Sequence, residues 1–260
     1  MTAEYTFPEA QNIVVSGDIH GDFNTLVHKC CVRYGMTGTL IIVAGDCGFG
    51  FNRPDFYENV YTKNRERLAK SNNWIVMVRG NHDNPAYFVS GQITHNRFMT
   101  VPDYSIIRAC GHTILCVGGA VSIDRSYRIS NPNYHHITPN PFARNLYWAD
   151  EKPVYDKTLL DEITKRYVVD SVVTHTSPTF CEPINKIGLE KWAENDETLF
   201  ADIAEERATM DKLYAYLLVN GHDVTNWFYG HFHRSWHDII GNCRFRMLDI
   251  MELTELKLML

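Results

Sequence analysis

Three short apolar runs, Asn12 to Ser16, Leu40 to Ala44 and Trp74 to Val78, each lead within two residues to a glycine followed by Asp or Asn. Between the first two, Phe23, Leu26, Val27 and Cys30 recur at helical spacing within Asp22 to Tyr34, and Phe56 to Lys70 reads as a charged-faced helix before the third. The opening is therefore β-α-β-α-β, an α/β arrangement in which strand ends converge on one crevice. Ser105 to Arg108 and Thr113 to Val117 read as further strands, followed by a polar, loop-rich region at about 120–153. Lys157 to Tyr167 is predicted helical, Ser171 to Thr174 a strand, and the acidic stretch Glu194 to Val219 a helix within a segment spanning about 185–220. Three strand-like runs close the chain, Asn226 to Tyr229, Ser235 to Ile240 and Cys243 to Ile250, with no helix between them, which suggests late antiparallel pairing.

The 260 residues, 45% hydrophobic and 22% charged, suit one large domain, residues 1–260, better than two small ones. The formal net charge of -6 gives no general attraction for a phosphate backbone, so nucleic acid is not indicated as a partner. Seven cysteines at irregular positions without a C-x-x-C pair read as reduced thiols. Met1 to Ala10 lacks a basic start followed by an apolar run, and no stretch is long enough to span a bilayer, so the expectation is a cytoplasmic protein with no membrane partner.

Five segments place His, Asp or Asn just after a predicted strand: Gly17-Asp18-Ile19-His20, Gly45-Asp46, Gly80-Asn81-His82-Asp83, Thr174-His175 and Gly230-His231-Phe232-His233. Taken alone, a Gly-Asp is usually a turn and a His-x-His decides little. Their joint occurrence at strand ends decides. Asp18 and His20, like His231 and His233, are two apart, so an extended backbone sends each pair to one side. The glycines permit a sharp exit from each strand and close approach of the backbone to an anion. Carboxylate, imidazole and amide oxygen without thiolate suit divalent manganese, iron, zinc or nickel. One ion leaves ligands over, whereas two ions roughly 3.5 to 4 Å apart share a carboxylate and acidify a bridging water.

The order Asp-x-His, Gly-Asp, Gly-Asn-His-Asp, His, Gly-His-x-His resembles the calcineurin-like metallophosphoesterase superfamily from Asp18 to His233. The resemblance implies a four-layer α/β/β/α sandwich, two mostly mixed β-sheets flanked by helices, with two transition-metal ions, manganese foremost, at the strand ends. It implies that Asp18, His20 and His233 hold the first ion, that Asn81, His175 and His231 hold the second, and that Asp46 bridges them. His82 is then not a ligand but faces the phosphate ester and protonates its leaving oxygen or stabilises the developing charge, as an imidazole titrating in the useful range can. Asp83 is carried with it as a catalytic candidate.

Two positions depart from the Ser/Thr protein phosphatase branch. Phe49 and Gly50 stand where those enzymes have an Asp-Arg pair, and Asp83 stands where they have Glu, so the sequence looks like the broader bacterial and phage-type phosphoesterases. The missing phosphate-binding arginine is sought among Arg53, Arg79, Arg125 and Arg128, with Arg125 and Arg128 preferred because they follow the strand end and loop Gly118 to Asp124. His28, His95, His112, His222 and His237 have no partner spacing and are set aside. His135-His136 reads as a solvated loop, the aromatics Tyr127, Tyr134, Tyr147 and Trp148 as packing, and the run Glu194 to Glu206 as a solvated helix face. Against a hydrolase stand a catalytically silent scaffold on the same fold and a nucleic-acid end-processing enzyme. The first is disfavoured because every expected ligand is present, and the second by the net charge.

Overall fold

The computed structural model describes residues 2–89, 93–131, 146–185 and 187–257. Its centre is a pair of sheets. The six-stranded sheet has the order β13 (Leu253–Leu256), β2 (Asn12–Ser16), β3 (Thr39–Val43), β4 (Trp74–Met77), β6 (Phe98–Thr100) and β5 (Thr94–His95). Its four inner strands are parallel, and a short antiparallel strand closes each edge. The seven-stranded sheet has the order β1 (Glu4–Thr6), β7 (Ser105–Ala109), β8 (His112–Val117), β9 (Ser171–Thr174), β10 (Asn226–Tyr229), β12 (Cys243–Met247) and β11 (Trp236–Ile240). Only its β7–β8 and β11–β12 pairs are antiparallel.

The pleat sorts each apolar run onto two faces, because successive side chains point to opposite sides. Leu40 and Ile42 of β3 meet Ile107, Ile114, Val173 and Phe228 between the sheets, whereas Ile41 and Val43 pack outward with Phe23, Leu26, Tyr57 and Leu68 of the helices α1 (Phe23–His28) and α2 (Pro54–Lys70). On the far side, Leu115, Val117, Val172 and Trp227 pack against Leu160 and Ile163 of α5 (Lys157–Thr164) and Met210, Leu213 and Leu217 of α7 (Leu199–Val219). Strands buried on both faces have to be apolar throughout, which is why these runs do not alternate with polar residues. The α/β/β/α order of layers follows.

Several expectations are refined. The predicted helix Asp22 to Tyr34 is α1, capped by the Asp22 side chain on the Thr25 amide, followed by a wider π-type turn over Lys29–Arg33. Late antiparallel pairing holds for β11–β12, but β12 pairs parallel with β10, and β13 crosses to the other sheet to pair with β2. The short strands β1, β5, β6 and β13 leave no periodic signal, being two to four residues long. The loop-rich region includes a helix, α4 (Arg125–Ser130), while Tyr134 and His135-His136 lie outside the described residues. The reading of Glu194 to Glu206 as a solvated face is corrected. Glu206 is buried, accepting from the Val121 amide at 2.5 Å and from the Thr176 hydroxyl, and Asp196 and Asp202 pair with Arg125. All seven cysteines are free thiols. Among the described residues no helix is long and apolar enough to cross a membrane.

Candidate metal centre and active site

The strands bearing the five motifs lie side by side: β2, β3 and β4 are parallel neighbours in one sheet, β9 and β10 in the other. Their C-terminal loops are tied to one another by the motif residues themselves. Asp18 Oδ1 accepts from the His231 amide (3.0 Å), the Asp46 carbonyl from the His20 amide (2.8 Å), and Asp46 Oδ1 from the His82 amide (2.7 Å). His20, Asp46, His231 and His233 have φ of 45, 48, 70 and 52°. The expectation that Asp18-x-His20 and His231-x-His233 are extended pairs is therefore corrected, since each converges through a left-handed turn. That conformation costs a residue with a Cβ about 1 kcal/mol or more and persists where surrounding contacts over-determine it.

Two of the motif glycines make room for the side chains of neighbouring motifs. A Cβ on Gly80 would overlap the Asp46 backbone N and Oδ1, and one on Gly45, at φ 95°, would overlap the His175 ring. Each glycine leaves the space that a ligand from the neighbouring strand fills.

Two groups of donor atoms result. Asp18, His20, Asp46 and His233 place their ligating atoms within 4.8 Å of one another. His233 Nε2 stands 3.0 Å from Asp18 Oδ2 and 3.0 Å from His20 Nε2. In the second group, Asn81 Oδ1 is 2.9 Å from both His175 Nε2 and His231 Nδ1, and His175 Nε2 is 3.1 Å from Asp46 Oδ1. Asp46 belongs to both.

These atoms fit cations better than they fit one another. Asp18 Oδ2 is buried without a hydrogen bond, although His233 Nε2 is near it. The Ala44 carbonyl lies 2.7 Å from His175 Nδ1 and can only accept, so the ring donates there. His175 Nε2 then faces Asn81 Oδ1 and Asp46 Oδ1, two more acceptors, and the Asn81 amide cannot be reversed because its Nδ2 donates to Ser122 Oγ (2.9 Å). Buried lone pairs opposed in this way are costly unless a proton or a metal ion lies between them. Burial disfavours a charged His175, yet the Asp46 carboxylate pulls its pKa up to about 10. The same field favours a divalent ion. His231 is held well below the usual histidine range, by burial and by His175, and so presents a neutral imidazole.

A model of the calcineurin-like phosphoesterase family matches residues 11–235. The chain belongs to this family. Among solved structures it aligns with a phosphopantetheinyl hydrolase from Mycobacterium tuberculosis at 13% identity and a TM-score of 0.40, over 92% of this chain and 90% of that one. It also aligns with a protein assigned as a 5′-nucleotidase from Staphylococcus aureus at 12% identity and a TM-score of 0.40, over 94% of this chain and 50% of that one. Both are too distant to transfer a substrate. No match was found among curated proteins.

Within this phosphoesterase fold the remaining expected residues divide sharply. His82 is partly exposed, stacks on Phe51 with ring centroids 5.8 Å apart, and lines the cavity beside the ligands. Burial lowers its pKa to about 4, with Asp46 and Asp124 opposing and Arg128 and His20 assisting the shift. Asp83, carried as catalytic, is corrected to a positioning residue. Its carboxylate is fully buried and accepts from the amides of Cys47 (3.0 Å), Gly48 (2.7 Å), Phe49 (2.9 Å) and Gly80 (2.8 Å). Burial and Asp46 push its pKa up to about 6, against the pull of those amides. Phe49 is buried against Phe23, Tyr57, Tyr87 and Phe88, so the loop that bears an Asp-Arg pair in the protein phosphatases is pinned here by aromatic packing.

The arginine expectation is also corrected. Arg125 is taken by Asp196 (2.5 Å), Asp202 (2.6 Å) and Thr198 (2.8 Å). Arg128 is buried and donates to Asp124 (3.0 Å) and the Leu146 carbonyl (2.6 Å), leaving Nη2 without a hydrogen bond but sealed from solvent. Arg79 is likewise consumed, by Asp103 and the carbonyls of Asp150 and Glu151, and Arg53 is exposed beside Asp55. Arg234, next to His233 and not singled out from the sequence, lines the cavity and has no side-chain partner among the described residues.

Sequence reading also missed the supports of the ligands. Ser122 holds the Asn81 amide and is itself held by Glu151, which accepts from the Ser122 amide (2.7 Å) and hydroxyl (2.5 Å). Nothing local signals a pairing across 29 residues. Ser122→Ala removes the acceptor that fixes Asn81. Metal affinity at the Asn81 side is expected to fall about 10- to 100-fold, read by calorimetric titration of manganese into metal-free protein, and an unchanged affinity would refute this role.

Proposed function

We infer that this chain hydrolyses phosphate mono- or diesters at a dinuclear metal centre. Asp18, His20 and His233 hold one ion, Asn81, His175 and His231 the other, and Asp46 is shared. The observation that carries this reading is the pair of donor groups meeting on Asp46, with lone pairs facing lone pairs on each side. Bound there, two divalent ions supply Lewis-acid neutralisation of the phosphoryl charge and lower the pKa of the attacking water.

The chain's own residues do the rest. Asp46 holds the His82 backbone by a 2.7 Å hydrogen bond, which sets that imidazole at the edge of the cavity, where, neutral near pH 7 because burial lowers its pKa to about 4, it donates a ring N–H hydrogen bond to the departing alcohol oxygen. Arg234, which lines the cavity without a side-chain partner among the described residues, is our candidate to hold a non-bridging phosphoryl oxygen, the part first sought in Arg125 and Arg128. Ser122 and Ala44 keep Asn81 and His175 aimed inward.

The test is hydrolysis of a nitrophenyl phosphate and its bis-ester after loading with manganese, iron, zinc or nickel. Activity is expected to vanish on chelation and return on adding metal. The reading fails if neither ester is hydrolysed with any of the four. His82→Ala should lower kcat by about 10²- to 10⁴-fold while bound metal, measured by plasma emission, stays unchanged. A loss of metal in that variant would make His82 a ligand and overturn its assigned role.

A further inference from the structure

Beside the metal ligands opens a cavity of about 730 Å³, bounded at one end by Asp46, Asn81, His82, His231 and His233. Its other walls are mostly apolar, with Val121, Ile123, Ile184, Ile187, Trp192 and Ile203 lining it beside a few polar side chains. The volume lies within the roughly 300–1,000 Å³ of small-molecule sites, whose walls are mostly apolar with a few converging polar groups. Ile184 and Ile187 are 65% and 84% exposed, an arrangement that leaves large aliphatic side chains in water at the lip of the chamber. From these walls, and resting on the phosphoesterase reading above, the geometry points to a substrate whose alcohol portion is large and predominantly apolar, bound in this chamber with its phosphate at the metal end.

The charges around the chamber support the same class. Arg207 lies in its wall but is spent on the backbone carbonyls of Pro178 (2.6 Å), Cys181 (2.7 Å) and Pro183 (3.1 Å). Glu206 is spent on Val121 and Thr176, and Asp124 on Arg128. Among the described residues the wall has one unpaired cation, Arg234, which follows His233 in the chain. Among the described residues, a second phosphate or a carboxylate on the alcohol would meet no unpaired cation deeper in the chamber and would lose its hydration there. Nucleoside polyphosphates and sugar bisphosphates are thus disfavoured. An apolar group, by contrast, covers the exposed isoleucines and gains from every methylene it buries.

The test is calorimetric titration of manganese-loaded protein with n-alkylphosphonates from methyl to octyl, a series that keeps the anionic end constant. Affinity should rise about two- to fourfold per methylene. In an Ile184→Ser/Ile187→Ser variant, where both changed side chains are exposed so that the fold is retained, the gain per methylene should fall to less than half. Affinity that does not grow with chain length, or grows equally in the variant, overturns the inference. Nitrophenyl ester hydrolysis is measured alongside. Hydrolysis with no length dependence overturns the apolar chamber and leaves the phosphoesterase reading standing. Length-dependent binding without any hydrolysis does the reverse, supporting the chamber's ligand class while the reaction is refuted.

Discussion

Replacing Asp46 by Asn is expected to abolish metal-dependent hydrolysis, with kcat lower by about 10³-fold or more, and to reduce bound manganese from about two equivalents to one or fewer. Asp46 is the residue on which both donor groups depend. Its Oδ1 accepts from the His82 amide and lies 3.1 Å from His175 Nε2, and its Oδ2 is 4.0 Å from His20 Nδ1. Asn keeps the shape and the acceptor for His82, so folding should survive. What it removes is the negative charge shared between the groups, and in its place an N–H donor is turned toward one of them. Four histidines, His20, His175, His231 and His233, then share a site that has lost one of its two buried carboxylates, Asp18 being the one left. Metal content by plasma emission and kcat on a nitrophenyl ester decide the matter together. A variant that retains both ions and stays within tenfold of the parent activity would sink the shared-carboxylate assignment.

Asp83→Ala is expected to act through the fold. The four amides of Cys47, Gly48, Phe49 and Gly80 all donate to this one buried carboxylate. Truncation leaves four buried N–H groups without an acceptor, at roughly 1 kcal/mol or more each, or about 4 kcal/mol together. For a chain of this size that lowers Tm by about 8 to 16 °C. The cost does not depend on whether Asp83 is ionised, because either form accepts and alanine does not. Loss of the carboxylate also frees the loop that follows Asp46 from the turn that carries Asn81, so metal affinity should fall with stability. Thermal unfolding followed by circular dichroism checks the first effect, and a shift below 3 °C would return Asp83 to the rank of an ordinary turn residue.

The residues of the two donor groups were legible because each stands at a strand end, and strand ends are written locally in apolar runs closed by glycine. Asp18, His20, Asp46, Asn81, His175, His231 and His233 needed no long-range information beyond the fact that such ends converge. The arginines show the opposite case. Arg125 and Arg128 follow a strand end as a phosphate-binding residue would, but Asp196, just before α7, and Asp202, in its first turn, reach Arg125 from more than 70 residues on. Charge content in the sequence was the same whether those acids faced water or a guanidinium. Glu206 misled for the same reason, since its helix looks solvated until Thr176 and Val121 are brought against it.

The sequence by itself determined the succession of strands and helices and the donor types, because hydrophobic periodicity and motif spacing act over a few residues, while the layers were implied by the family resemblance. Only the tertiary structure decided which side chains are already spent. Ser122 and Glu151 behind Asn81, four amides on Asp83, and an apolar chamber opening beside His231 are formed by segments distant in the chain. No local pattern constrains them, and it is packing that fixes which polar groups find hydrogen-bond partners and which, like Asp18 Oδ2 and Arg234, have none among the described residues.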